Sequence, residues 1–441
     1  MSKSLQRTAA AFLLAFLLLA LALGRWSIAS SDLIVRDDNP RRVFEEQLIQ
    51  RGSIFDRNDQ VLAETVPQSD TLVRRYPFVA AASLVGYVSI NYGAAGVEEA
   101  LDRVLRGPRD FLDQLLHQRQ SGQDVRTTLD SRAQQILSNR LTQPGAAIVL
   151  SLPDGAITAL ASHPSFDPNT LDQDWKTLST DPAAPLLNRA TQGLYQPGAI
   201  FQTVLLADAI ERGVMLTETL AQPDRPVTLD RLTLNCARND ASPATLIDAY
   251  AQACPAPFAD LAAQLTSGDL FALTQKWKLD QPPSLEIRTT AAPTLTTDLS
   301  TTLALQAYAL GQGELTISPL RMAQVAATIG NNGFMPAAFV VKDVQSPDGQ
   351  WQPYANSAET PAPIIDPAVA RAILQAMRVQ GSSAGHGGAA FSGERRHSWF
   401  IGLAPADQPR YAIAVLLEDA ANATDAEDIG RGVLEELIVA P

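Results

Sequence analysis

YQPGAIFQTV, residues 195–204, reads as a turn that feeds a helix made for a protein interior. Pro197-Gly198 break the chain, a helix is expected from about Ala199, and the nearly all-apolar run 200–210 is closed by Gly213. A helix apolar on most of its sides packs in a core and not on a surface. Its first turn offers a cleft two side chains, Ala199 and Gln202, one turn apart. Neither can do reactive work there. A methyl group has nothing to acylate, and an amide does not take up a proton near neutral pH.

Around this stretch lie 441 residues, enough for two to three domains and a large core. The formal charge is −13; the first 25 residues carry Lys3, Arg7 and Arg25 and no acid, so the remainder holds −16 (−13 minus +3). That acidity excludes nucleic acid as a partner, because phosphate binding needs a basic face. Two cysteines, Cys236 and Cys254, exclude a disulfide scaffold and leave open either one bridge outside the cytoplasm or two buried thiols. Residues 9–24 are uncharged and apolar; with their neighbours they reach about 20 residues, one bilayer crossing. Lys3 and Arg7 before the run favour a cytoplasmic tail (1–7), an anchor (8–28) and an exported remainder (29–441). A cleaved signal peptide is the competing reading; the length of the run and Trp26 at its end favour a retained anchor.

Residues 31–50 read as a polar stalk, and 51–122 as a small membrane-proximal module ending in a helix over 94–105 and the turn RGPRD. VRTTLDSRAQQILSNRL (125–141) offers a strand and then a helix capped by Asp130 or Ser131. GAAIVLSLPDGAITALAS (145–162) is a hairpin around Pro153-Asp154-Gly155. Residues 235–335 are mostly helical, with a Pro/Thr-rich loop at 281–300, and SWFIGLAP and RYAIAVLLED are two more strands. A last helix is expected from Thr424, with Glu427 completing a capping box and Ile429, Val433, Leu434, Leu437 and Ile438 on one face. Strands at both ends with helices between them give an α+β fold, an antiparallel sheet with packed helices.

RGSIFDRNDQVLAET (51–65), RRYPFVAAASLVGYVSINYGAAGVEEALDRVLRG (74–107), TTLDSRAQQIL, HPSFDPN, PLLNRATQGLYQPG, LGQGELTISPLRMAQVAATIGNNG and WFIGLAPADQPRYAIAVLLED follow one another in family order. Together they resemble a class B penicillin-binding protein over nearly the whole chain. The resemblance implies a serine β-lactamase-like transpeptidase domain at 123–441, after a stalk and pedestal or dimerisation-like module at 29–122. It also implies peptidoglycan D,D-transpeptidation through an acyl-serine, carried by Ser-x-x-Lys, Ser-x-Asn and Lys-Thr-Gly.

This chain departs from all three. PGAIFQ stands where the family has Pro-Gly-Ser-Thr-Phe-Lys, so Ala199 replaces the nucleophile and Gln202 the lysine. QACPAPF puts Ala253 in place of the second serine and Pro255 in place of the asparagine. GHGGAA puts His386 for lysine and Gly387 for threonine; Gly388 is retained, and Ala389 replaces the next threonine. No catalytic residue, cofactor or metal is therefore expected. His117, His163, His386 and His397 show no metal-ligand spacing. His386 is either a vestigial cleft cation or a loop residue among glycines, and His397, beside Arg395 and Arg396, reads as a solvated loop histidine. Cys254, inside the second motif, reads as a buried free thiol. Ser382 and Ser383 lie close to the third motif, but no strong base accompanies them in sequence.

Three functions compete. The first is a membrane-anchored, non-catalytic scaffold or regulator of wall-synthesis enzymes, a pseudoenzyme whose resemblance implies a polytopic peptidoglycan glycosyltransferase as partner. The second is an active transpeptidase or hydrolase using displaced residues. The third is a sensor that binds stem peptides, muropeptides or β-lactams reversibly in the cleft, weakly because polar partners are gone. All three place the turn 199–202 opposite His386 and near Ala253.

Overall fold

The computed structural model describes residues 3–35, 49–68, 71–108, 120–238, 242–290, 292, 299, 301–354, 360–378 and 381–439. Most of the expected stalk, the end of the RGPRD turn, part of the Pro/Thr-rich loop and His117 fall outside these residues.

A five-stranded antiparallel sheet organises the C-terminal part, in the order Ala384–Ser392, Arg395–Ala404, Tyr411–Leu417, Gly145–Ser151, Ile157–His163. Its inner strands are almost wholly buried because helices cover both faces. Strand alternation sorts their side chains: Ile148, Leu150, Ala412 and Leu416 enter one core, whereas Ala147, Val149, Ile413 and Val415 enter the other. The first core takes the helices Gln202–Glu211 and Pro319–Gly330; the second takes Ser131–Arg140 and Asp425–Val439. Each fully buried Val, Leu or Ile contributes about 1.5–3 kcal/mol relative to its exposure.

Asp130 caps the helix Ser131–Arg140, accepting from the backbone N–H of Arg132 and Ala133 at 3.0 and 3.1 Å. The last helix begins at Asp425, and the expected face holds, with Val433, Leu434 and Leu437 buried. Its expected capping box is replaced. The Glu427 carboxylate turns to Arg238 and Arg431, because two guanidinium groups outcompete one backbone N–H.

The sheet of the N-terminal module is less local than its sequence suggests. Its six strands run in the order Trp351–Pro353, Val341–Gln345, Val125–Thr127, Ile54–Phe55, Val61–Gln68, Thr71–Arg75. Strands from beyond residue 340 therefore complete a sheet that begins at residue 54, with Ile54 and Phe55 pairing parallel to Val125 and Arg126. The helix expected over 94–105 is divided into a short strand, Gly93–Ala95, and two helices, Gly96–Ala100 and Asp102–Arg106. Gly96 sits at φ +64°, where a Cβ would lie 2.6 Å from the Leu84 carbonyl oxygen, so the chain turns there before it coils.

Beneath this sheet Glu98 is fully buried. It receives Arg51 at 2.9 Å, Arg74 at 2.6 Å and the Tyr76 hydroxyl at 3.3 Å. At the N-terminus a single helix, Lys3–Val35, contains a stretch, Ser4–Trp26, long and apolar enough to cross a membrane.

Candidate functional site

The turn of the opening stretch depends on close backbone approach. Gly198 takes φ +54° and donates its N–H to the Gly311 carbonyl at 2.8 Å; a Cβ there would lie 2.3 Å from the Ala389 oxygen. A 3₁₀ turn, Gly198–Phe201, passes directly into the α-helix Gln202–Glu211, so the helical turn opens one residue before Ala199 and becomes regular at Gln202. Ile200, Phe201, Val204 and Leu205 are buried, as an apolar helix requires. Gly213, at φ +81°, follows the helix end.

Ala199 and Gln202 do face a cleft, of about 390 Å³, and Ala253, Pro255 and Ala389 share its wall. The three segments meet at Gly388: a Cβ built there would stand 2.6 Å from the Ala199 Cβ and 3.2 Å from the Ala253 Cβ. Gln202 is 2% exposed; its amide nitrogen donates to the Cys254 carbonyl at 3.3 Å, and its Oε1 has no hydrogen-bond partner. Ala253 is held at φ +51°, a conformation costly for a residue with a Cβ. Pro255 precedes the helix Ala256–Ala262, a place where a missing N–H is tolerated.

His386 is neither a cleft cation nor a loop residue. It lies within the strand Ala384–Ser392, paired with Ile401 and buried from solvent. Its Nε2 donates to the Ala199 carbonyl at 3.0 Å, and its ring stacks on Tyr250 at 3.9 Å and 13°. Burial, the largest cause, pushes its pKa down to about 3, so the ring is neutral at pH 7. Gly387 and Gly388 are buried in the same strand, and a Cβ on Gly387 would meet the Trp399 carbonyl oxygen at 2.7 Å.

Three further expectations are corrected. His397 is buried in the strand Arg395–Ala404, edge-on to the Tyr195 ring, because strand pairing draws it under the sheet. Cys254 is bonded to Cys236 and is no free thiol; the bridge ties the segment after the strand Leu232–Leu234 to the second motif. Neither Ser382 nor Ser383 lines the cleft: Ser382 is exposed, and Ser383 is buried and accepts from Arg431 at 3.1 Å.

The sequence did not single out the polar wall of the cleft: Asn235, Gln312, Arg396, Asn422 and Thr424. These come from four distant segments, and no local pattern announces them. Arg396 could be found only through the hairpin register that sets it opposite Phe391, and it donates Nε to the Ala420 carbonyl at 3.2 Å. Among the described residues, no group of His, Cys, Asp and Glu has an arrangement that would hold a metal ion.

Residues 145–435 match the family model of the penicillin binding protein transpeptidase domain, and residues 51–127 match the penicillin binding protein A dimerisation domain. The peptidoglycan D,D-transpeptidase PbpA of Mycolicibacterium smegmatis is 31% identical, over 95% of this chain and 94% of its own. The PbpA of Mycobacterium tuberculosis is 29% identical over 99% of both. The crystal structure of PBPA from M. tuberculosis superposes with a TM-score of 0.77 at 28% identity, covering 88% of this chain and 99% of that one. An imipenem acyl-enzyme complex of the same M. tuberculosis protein gives 0.78 at 27%, over 89% and 99%. With its sheet, its helical layers and two thirds of its length accounted for in this way, the chain belongs to the penicillin-binding protein transpeptidase family of peptidoglycan synthesis.

Proposed function

We propose that this protein is a non-catalytic member of the family, anchored in the membrane and acting as a scaffold or regulator of cell-wall synthesis. The observation that carries the reading is the chemistry of the cleft: among the described residues, its lining holds no Ser, Lys, His, Asp or Glu. The hydroxyls on its wall, Thr233 and Thr424, have no base among the described lining residues to activate them. Loss of a serine nucleophile costs on the order of 10⁶-fold in rate, and loss of a general base about 10²–10⁴-fold. The equivalence of Ala199, Gln202, Ala253, Pro255, His386 and Gly387 with the family's catalytic positions belongs to this proposal. Its support is the sequence order and the meeting of the three segments at one cleft.

The anchor belongs to the proposal too: residues 1–7 in the cytoplasm, 8–28 in the membrane, the stalk and module of 29–122 and the larger domain of 123–441 outside. The apolar helix, the charges before it and the Cys236–Cys254 bridge, which suits an oxidising compartment, support that orientation. A polytopic glycosyltransferase is the proposed partner, through the anchor and module. Labelling the unmodified protein with a fluorescent penicillin tests the reading. No covalent band is expected; a band that disappears in the Ser382→Ala/Ser383→Ala double variant would restore the displaced-residue enzyme. The cleft keeps Arg396, Asn235 and Gln312 on its wall, which favours weak reversible binding of stem peptides as a second reading.

A further inference from the structure

The strand Thr71–Arg75 is the outer edge of the six-stranded sheet. Just past its end, Asn169 does what a neighbouring strand would do. Its side-chain oxygen accepts the Tyr76 N–H at 2.9 Å and its nitrogen donates to the Tyr76 carbonyl at 3.0 Å. Backbone groups alternate in direction along a strand, so the N–H and C=O of Arg74 and Leu72 point the same way as those of Tyr76. Among the described residues, no second side chain takes up the pairing there. That side opens instead into a cavity of about 290 Å³ between the module and the helix Leu171–Thr180, lined by Leu72, Val73, Arg74, Ile90 and Asp172 among others. Its rim is apolar and exposed, Val73 at 37% and Ile90 at 40%.

Arg74 gives Nε to Glu98 and Nη1 to Gly52 and Thr65, but its Nη2 has no acceptor among the described residues although the side chain is 7% exposed. Arg75 is exposed and has no ion pair among the described residues. The acid on the wall, Asp172, accepts from the Ser89 hydroxyl at 2.5 Å at the opposite side. An open edge is a template for an added strand, and charge on it selects what can pair. Arg74 is already held by Glu98, so the exposed Arg75 sets the sign of this edge and favours an acidic segment.

We infer that the Thr71–Arg75 edge is a docking site for an extended segment of a partner protein, one that alternates apolar and acidic residues and adds as a further strand beyond the Asn169 clasp. Main-chain hydrogen bonds to Leu72 and Arg74 supply the register. Apolar side chains on the face shared with Leu72 fill the cavity, and carboxylates on the opposite face meet Arg75. The inference does not depend on whether the cleft is catalytic.

The test uses the full-length chain in detergent and a fluorescent probe, acetyl-Val-Glu-Val-Glu-Val-Glu-amide, followed by anisotropy. Two comparison peptides carry Lys for Glu, or alternate N-methyl groups that block strand pairing. The acidic peptide is expected to bind at least about tenfold more tightly than the Lys peptide, and N-methylation to abolish binding. Arg75→Glu, at an exposed position, should reverse the preference between the two charged peptides. A photoreactive acidic peptide should cross-link within 71–76. Equal binding of acidic and basic peptides, undiminished binding of the N-methylated peptide, cross-links confined to the cleft, or no binding at millimolar probe would overturn it.

Discussion

The N-terminal module and the cleft treat charge in opposite ways. In the module a fully buried carboxylate, Glu98, is held by two arginines and a tyrosine; in the cleft, Arg396 is the one charged residue among the described residues of the wall. The groups at the meeting point of the three motifs are methyls, an amide and a neutral histidine that faces away, toward Tyr250. Buried charge in the module is structural and cannot be removed piecemeal. The cleft side chains contribute little to packing, so the fold is expected to tolerate their substitution.

The widest gap between the two regions should open at Glu98. Glu98→Ala leaves Arg51 and Arg74 buried without their shared partner, and urea unfolding should register a loss of about 3–5 kcal/mol. A loss under 1 kcal/mol would mean that the network is not the keystone of the module. Next comes the bridge beside the cleft. Replacing Cys236 and Cys254 by serine frees a loop with a sequence separation of 18 and should cost about 3 kcal/mol in the oxidised protein, read from the same unfolding curves.

The third prediction is a pH dependence located in the cleft region. His386 is neutral when folded, with its pKa near 3, whereas an unfolded histidine titrates near about 6.5. Between these values the unfolded chain binds a proton that the folded chain refuses. The His386 contribution is therefore complete above about pH 6.5 and is lost as pH falls toward 3, by about 1.4 kcal/mol per unit. His386→Gln should flatten that part of the stability–pH curve; an unchanged slope would show that other groups produce it. The smallest expected effect is the most informative for function. Ala199→Ser should change stability by less than about 1 kcal/mol and give no penicillin band, because Gln202 is no base. Ala199→Ser with Gln202→Lys should label slowly at most. Robust labelling of Ala199→Ser alone would refute the assignment of the site.

Local signals brought out much of this architecture. The 145–162 hairpin, the Asp130 cap, the buried helix after Pro197-Gly198 and the apolar face of the last helix all follow from residue order and period. The reading failed where partners come from far away. His386 and His397, set among glycines or arginines, look like loop residues until strand register buries them, and Cys254 looks like a thiol until the fold brings Cys236 beside it. The sheet of the module is the clearest case, since the strands 341–345 and 351–353 carry no mark of the neighbours they join.

What the sequence settled by itself is the family, the order of the elements and the residue types at the three motifs, because each is written in short spacings that local sterics and periodicity enforce. The tertiary structure decided the protonation of His386, the disulfide, the polar wall around Arg396 and the open edge beside Asn169. Those properties depend on desolvation and on contacts between segments up to hundreds of residues apart, and no local pattern encodes either.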